Sequence, residues 1–148
     1  MSQLQKRLVD DMKSAMRAKE KQRLLTIRTI LAGIKQHEVD TREDVSDTAV
    51  LAILDKMAKQ RRESISQFTK AGRDDLVEQE EKELVIIQDY LPEALNDDEI
   101  QVLIKEAIDV SSASSIKDMG KVMAYIKPKA QGRADMGKIS GLIKAALN

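Results

Sequence analysis

Cysteine and tryptophan are absent from this 148-residue chain. Without Cys there can be no disulfide, no thiolate metal ligand and no Cys nucleophile. The only aromatic residues are Phe68, Tyr90 and Tyr125. That scarcity disfavours strand-rich folds, base-stacking RNA-binding sheets and aromatic cages, all of which depend on aromatic side chains. Two Pro and six Gly are too few for the many turns of a β-sandwich or barrel. No stretch approaches ~18 consecutive apolar residues, so no membrane-spanning helix is expected. The opening residues MSQLQKRLVDDMKS have no apolar stretch of the signal-peptide kind, which makes the cytoplasm the expected location. Net charge is also missing, with 25 basic against 25 acidic residues.

What remains is a chain rich in Leu, Ile, Met and charged residues, patterned for helices. Leu4, Leu8, Met12, Ala15 and Met16 recur at three- and four-residue steps after Ser2, a suitable N-cap. Leu24, Ile27, Leu31 and Ile34 form a second amphipathic face. Nothing in the charged stretch Arg17 to Arg23 breaks a helix, so these two helices either run together or bend there. The polar run Glu38–Asp47 is expected to be a loop. Ser46 or Asp47 then caps a third helix bearing Val50, Ile53, Leu54, Met57, Ile65 and Phe68, with Gly72 at its C′ position. Asp74 is the expected cap of a fourth helix, which ends at Tyr90-Leu91 because Pro92 disfavours helical geometry in the residue before it.

Beyond Pro92, Asn96 or Asp97 caps a fifth helix, Ile100 to Ile108, with Glu99 in its first turn. The Ser-rich stretch Ser111–Ser115 leads to a sixth helix, Ile116 to Ile126, which Pro128 stops. After a loop, Lys129–Arg133, a last helix carries Met136, Ile139, Leu142, Ile143 and Leu147. The expected fold is all-α: about four helices in an N-terminal bundle over residues 1–92, and about three in a C-terminal bundle over residues 93–148.

Candidate chemistry is sparse. His37 is the single histidine, and the residue three before it is Ile34 rather than the Glu of a di-iron Glu-x-x-His motif. Glu78, Glu80, Glu81 and Glu83 read as a solvated acidic face. The segment GRADMGK, Gly132 to Lys138, approaches the phosphate-binding loop G-x-x-x-x-G-K-[ST] but has Ile139 where the Mg²⁺-binding hydroxyl belongs. A Lys-rich loop, not a buried strand, precedes it. No nucleotide cofactor, no metal and no catalytic residue is expected. Arg61 interrupts the apolar stripe Met57, Arg61, Ile65. It is either an interhelical ion pair with Glu80 or Glu83, or an edge residue whose head reaches solvent.

The neutral total conceals segregation. Residues 93–116 carry one Lys against six Asp/Glu, and residues 117–148 carry seven Lys/Arg against two. Lys121, Lys127, Lys129, Arg133 and Lys138 are therefore the candidate phosphate-contacting residues, gathered around one loop beside a helix N-terminus.

The residues Gln60-Arg61, Ala71-Gly72-Arg73, Tyr90-Leu91-Pro92, Asp118-Met119-Gly120-Lys121-Val122-Met123 and Gly132-Arg133-Ala134-Asp135 resemble the YqeY-like proteins in combination. The resemblance covers essentially the whole chain and implies a helical fold of two bundles. It also implies kinship of the C-terminal part with the tRNA-contacting tail of the GatB subunit of tRNA-dependent amidotransferase, a carbon–nitrogen ligase with glutamine as amido donor. The free-standing proteins look like that tail without the catalytic body. Two expectations follow: a tRNA-binding accessory acting through the basic C-terminal bundle, or a helical adaptor docking onto a larger protein complex.

Overall fold

A computed structural model describes residues 1–148, and the chain is helical with no β-strand. It divides into two compact units, Met1–Leu91 and Pro92–Asn148.

The first unit holds four helices: α1 (Gln3–Arg17), α2 (Lys21–Thr41), α3 (Asp47–Lys70) and α4 (Asp74–Gln88). Two starts are capped from one dipeptide. Ser46 Oγ accepts from Ala49 N–H at 3.2 Å, while Asp47 Oδ1 reaches back to accept Leu4 N–H in the first turn of α1 at 3.0 Å. Each satisfies a backbone donor that a helix start leaves open. Helices α1 and α2 do not run together. Lys19 adopts a left-handed φ of 59°, and Glu20 N–H returns to the Ala15 carbonyl. The break lets Leu8 on α1 and Ile27, Ile30 and Ile34 on α2 enter the same core.

Helix α2 continues through Thr41, where a loop was expected from Glu38 onward. The polar side chains there lie on its outer face and bond along the helix or to a neighbour: Gln36 to Asp40 at 2.9 Å and Gln5 of α1 to Glu38 at 3.1 Å. Arg42, left-handed at φ 58°, closes it. The cap expected of Asp74 is also absent. Arg73 occupies the N-cap position and Asp74 begins the helix, its charge still suited to the first turn. Gly72, at φ 70°, ends α3 as its position requires. Helix α4 stops at Gln88, leaving Tyr90 to turn inward. Tyr90 is buried, donates its hydroxyl to Asp11 Oδ2 at 2.6 Å, and lies under the Arg7 guanidinium at 4.7 Å. Burial first, and then the bond to Asp11, raises its phenol above the usual range.

The second unit contains α5 (Asp97–Ser111), a 3₁₀ turn (Ile116–Asp118), α6 (Met119–Ala130) and α7 (Met136–Leu147). Asn96 and Glu99 form a reciprocal capping box at 2.8 and 3.3 Å. The sixth helix differs from expectation at both ends. Its first turn is 3₁₀, held by Asp118 Oδ2 accepting from Ser114 N–H at 3.0 Å. It also passes through Pro128 to Ala130, which removes Lys129 and Ala130 from the expected loop. A proline in the last turn forfeits one backbone bond, whereas continuing keeps fully buried Ala130 one turn beyond fully buried Ile126. The core of this unit is built on Ile100, Ile104, Val122, Ile126, Ile139 and Ile143.

The core of each unit is made only from its own residues. A fragment of residues 1–91 is therefore expected to stay helical and to melt cooperatively by circular dichroism. A gradual, non-cooperative melt would show that it needs the rest of the chain.

Candidate functional site

In the C-terminal unit, the acidic residues of α5 and its entry gather the cations proposed for phosphate. Lys138 Nζ bonds Asp97 Oδ1 at 3.1 Å. Arg133 donates Nε to the Glu93 carbonyl at 2.9 Å, and its own carbonyl accepts Leu95 N–H at 2.8 Å. Lys129 lies 4.1 Å from the centre of the Tyr125 ring, donates to the Tyr125 hydroxyl at 2.7 Å and stands 3.5 Å from Glu106. The Tyr125 hydroxyl in turn donates to Glu106. That hydrogen bond first, and then the Lys129 charge, lowers the Glu106 carboxyl below its ordinary value. Lys129 is correspondingly raised, chiefly by the Tyr125 bond.

The other two predicted cations stand differently. Lys121 and Lys127 are exposed and make no ion pair or hydrogen bond. Three of the five candidates are thus engaged within the unit, while Lys121 and Lys127 have no side-chain hydrogen bond or ion pair, Lys121 standing near enough for its charge to favour the Asp118 carboxylate.

The engaged cations close one side of a groove of about 550 Å³. Leu95, Val102 and Leu103 supply apolar surface, Asp98 and Glu106 acidic edges, and Lys129 and Arg133 the remaining wall. Val102 is 66% exposed and Val110, two turns on, 62%. Sequence reasoning missed Val102, Glu106 and Tyr125. A signal for the valine existed: Ile100, Leu103, Ile104, Ala107 and Ile108 mark the buried stripe of α5, and Val102 falls out of phase with it. Tyr125 stands four residues before Lys129, a same-face spacing once α6 runs through Pro128, but nothing in the sequence marks Glu106 as their partner.

In the N-terminal unit, Arg61 of α3 donates Nε to Glu83 Oε2 of α4 at 3.2 Å, and Glu80 Oε2 lies 4.0 Å away. The three side chains are 18–23% exposed, a largely but not wholly desolvated cluster. Glu80 is raised above the ordinary carboxylate value by burial first and the Glu83 charge second, with Arg61 opposing both. His37 lies within α2, half-buried, with its ring unpartnered. No group of three or more His, Cys, Asp or Glu side chains converges to hold a metal. The GRADMGK segment joins two helices, with Gly132 in a left-handed turn and Asp135 Oδ1 capping α7 through Gly137 N–H at 2.9 Å. A phosphate-binding loop would have to follow a strand, and here it follows α6.

The family model for YqeY-like proteins matches residues 5–147. The chain belongs to this family. Similar curated proteins are named altered inheritance of mitochondria protein 41, mitochondrial. The one from Lachancea thermotolerans is 35% identical over 147 residues, covering 95% of this chain and 76% of the relative. That of Pyrenophora tritici-repentis is 36% identical over 129 residues, covering 84% and 71%. That of Kluyveromyces lactis is 31% identical over 141 residues, covering 94% and 73%. These relatives are named as mitochondrial proteins, which overturns the cytoplasmic expectation: the makeup of the first residues was no guide to compartment. No helix of this YqeY-like chain is long and apolar enough to cross a membrane.

The Arg61 cluster gives a stability prediction. Arg61→Ala leaves two partly buried carboxylates facing one another and is expected to cost about 1–3 kcal/mol in denaturant titration. Coupling in double mutants should be larger with Glu83→Gln than with Glu80→Gln. Because the folded state raises Glu80, it binds that proton more tightly than the unfolded state. The unfavourable contribution of Glu80 is therefore present at neutral pH and relieved as pH falls through its raised value. Glu80→Gln should leave stability at pH 7 unchanged or higher, and Glu83→Gln should lower it.

Proposed function

We propose that this YqeY-like protein is an accessory docking module that engages a larger protein complex through the groove of its C-terminal unit. The observation that carries the reading is the fate of the basic residues. Lys129, Arg133 and Lys138 are drawn onto acceptors of their own unit, while the valine-bearing acidic face of α5 stays open. Asp98 and Glu99 at the head of the groove favour a partner segment that is basic and apolar, seated over Leu95, Val102 and Leu103. The resemblance to the GatB tail supports a setting in tRNA-dependent amidation, where the carbon–nitrogen ligase chemistry belongs to the partner. The names of the relatives support a mitochondrial setting.

A second reading, a tRNA-binding accessory, has its own supporting observation. Lys121 and Lys127 are exposed and unpaired on α6, within the segment that carries seven basic residues against two acidic ones. With Tyr125 engaged by Glu106 and Lys129 and no other aromatic in the unit, such contacts would track backbone and not read bases.

A photo-crosslinking residue placed at position 102 of the full chain separates the two in cells. The docking reading expects a nuclease-resistant protein adduct whose crosslinked peptide carries Lys or Arg among apolar residues. It also expects that Val102→Asp, at an exposed position, abolishes the association without changing the melting temperature. Adducts to RNA alone, with Val102→Asp without effect, would replace docking with the tRNA reading.

A further inference from the structure

The N-terminal unit contains a second groove, independent of the docking reading and lying between α2 and α3. From Thr29 to Asp40 on α2, its wall spans twelve residues, about 16 Å at 1.5 Å per residue. Its volume of about 560 Å³ is in the range of small-molecule sites, roughly 300–1,000 Å³.

The groove exists because its floor is made of small residues. Gly33, Ala49 and Ala52 face it where larger side chains would fill it, and a Cβ added at Gly33 would meet Ile53 Cγ2 at an ordinary 3.6 Å. Ile53 and Met57 add an apolar surface. Along α3, Lys56 and Gln60, four residues apart, share one helical face toward the groove, and Arg61 lines it from the side turned toward α4. Lys56 and Gln60 have no side-chain partner in the protein. Arg61 uses Nε for Glu83, one of the five donors of a guanidinium, and that carboxylate fixes its position. The arrangement therefore offers the Lys56 cation, the Gln60 amide and the remaining guanidinium donors of Arg61, whose charge Glu83 and Glu80 offset at 3.2 and 4.0 Å, beside an apolar trough. Asp40, the only acidic residue lining the groove, lies toward its other end and accepts from Gln36.

We propose that the α2–α3 groove binds a small amphiphilic anion. Its carboxylate or phosphate head would sit on Lys56, Gln60 and Arg61, and its apolar body over Gly33, Ala52 and Ile53. Charge-assisted bonds to partly desolvated Arg61 and exposed Lys56 recognise either head group, and the trough supplies the remaining affinity through apolar burial.

Octanoate, octyl phosphate and octanol, below their micelle concentrations, test this by amide chemical-shift titration of the full-length protein. The proposal expects saturable shifts centred on Gly33, Ala52, Lys56 and Gln60 with at least one of the two anions. Octanol should bind at least tenfold more weakly, and the stronger anion identifies the head group. Lys56→Glu, at an exposed position, should weaken that binding at least tenfold, and Ala52→Leu should abolish it by filling the floor. Inorganic phosphate alone should bind at least tenfold more weakly than octyl phosphate. The proposal is overturned if neither anion gives saturable shifts, if the shifts map elsewhere, or if octanol binds as well as the anions. Should a variant fail to fold, the comparison of charged and neutral ligands on the unaltered protein still decides.

Discussion

The surface of the C-terminal unit depends on one arrangement: carboxylates and a carbonyl of α5 and its entry hold Lys129, Arg133 and Lys138. Each contact is exposed and screened by solvent, so it contributes little to stability. Their effect is on charge pattern. Lys138 on Asp97 and Lys129 on Glu106 through Tyr125 offset opposite charges at close range, while Arg133 is held by the uncharged Glu93 carbonyl. Attraction to a distant polyanion is reduced accordingly, since opposite charges this close largely cancel beyond a screening length of about 8–10 Å. What the unit presents is a groove with apolar surface and a mixed-charge rim.

Membership of the YqeY-like family and the relation to mitochondrial proteins set this arrangement in context without assigning it a reaction. The two units offer different kinds of surface. The groove of the C-terminal unit has an exposed valine among acids, whereas the α2–α3 groove of the N-terminal unit has unpaired donors beside small residues. In the N-terminal unit the Arg61–Glu83 contact links these roles. It ties α3 to α4 and also fixes a cation at the edge of the α2–α3 groove.

Helices were legible in the sequence because the apolar stripes are strong and the caps are local. Ser2, Ser46, Asn96 and Asp135 each sit within a few residues of the donor they satisfy. Errors arose where tertiary demand decided. The polar residues Glu38 to Thr41 look like a loop, but they lie on the outer face of a helix. Pro128 looks like a stop, but continuing the helix keeps Ala130 in the core. At the candidate site, sequence could identify the cations and not what they face, because Lys129 and Glu106 are brought together only by the packing of α5 on α6. Arg61 was easier: an Arg in an apolar stripe demands a carboxylate, and the next helix carries several.

The salt dependence of tRNA affinity reports whether Lys129, Arg133 and Lys138 keep their internal partners. In duplex-like contacts each engaged phosphate contributes about −0.9 to the slope of log affinity against log salt. If Lys129, Arg133 and Lys138 stay with their internal partners, replacing all three with Gln should leave the slope of any tRNA binding unchanged. A slope shallower by about 2.7 in that variant would mean that the three cations leave their partners for phosphate, against the internal engagement on which the docking reading rests.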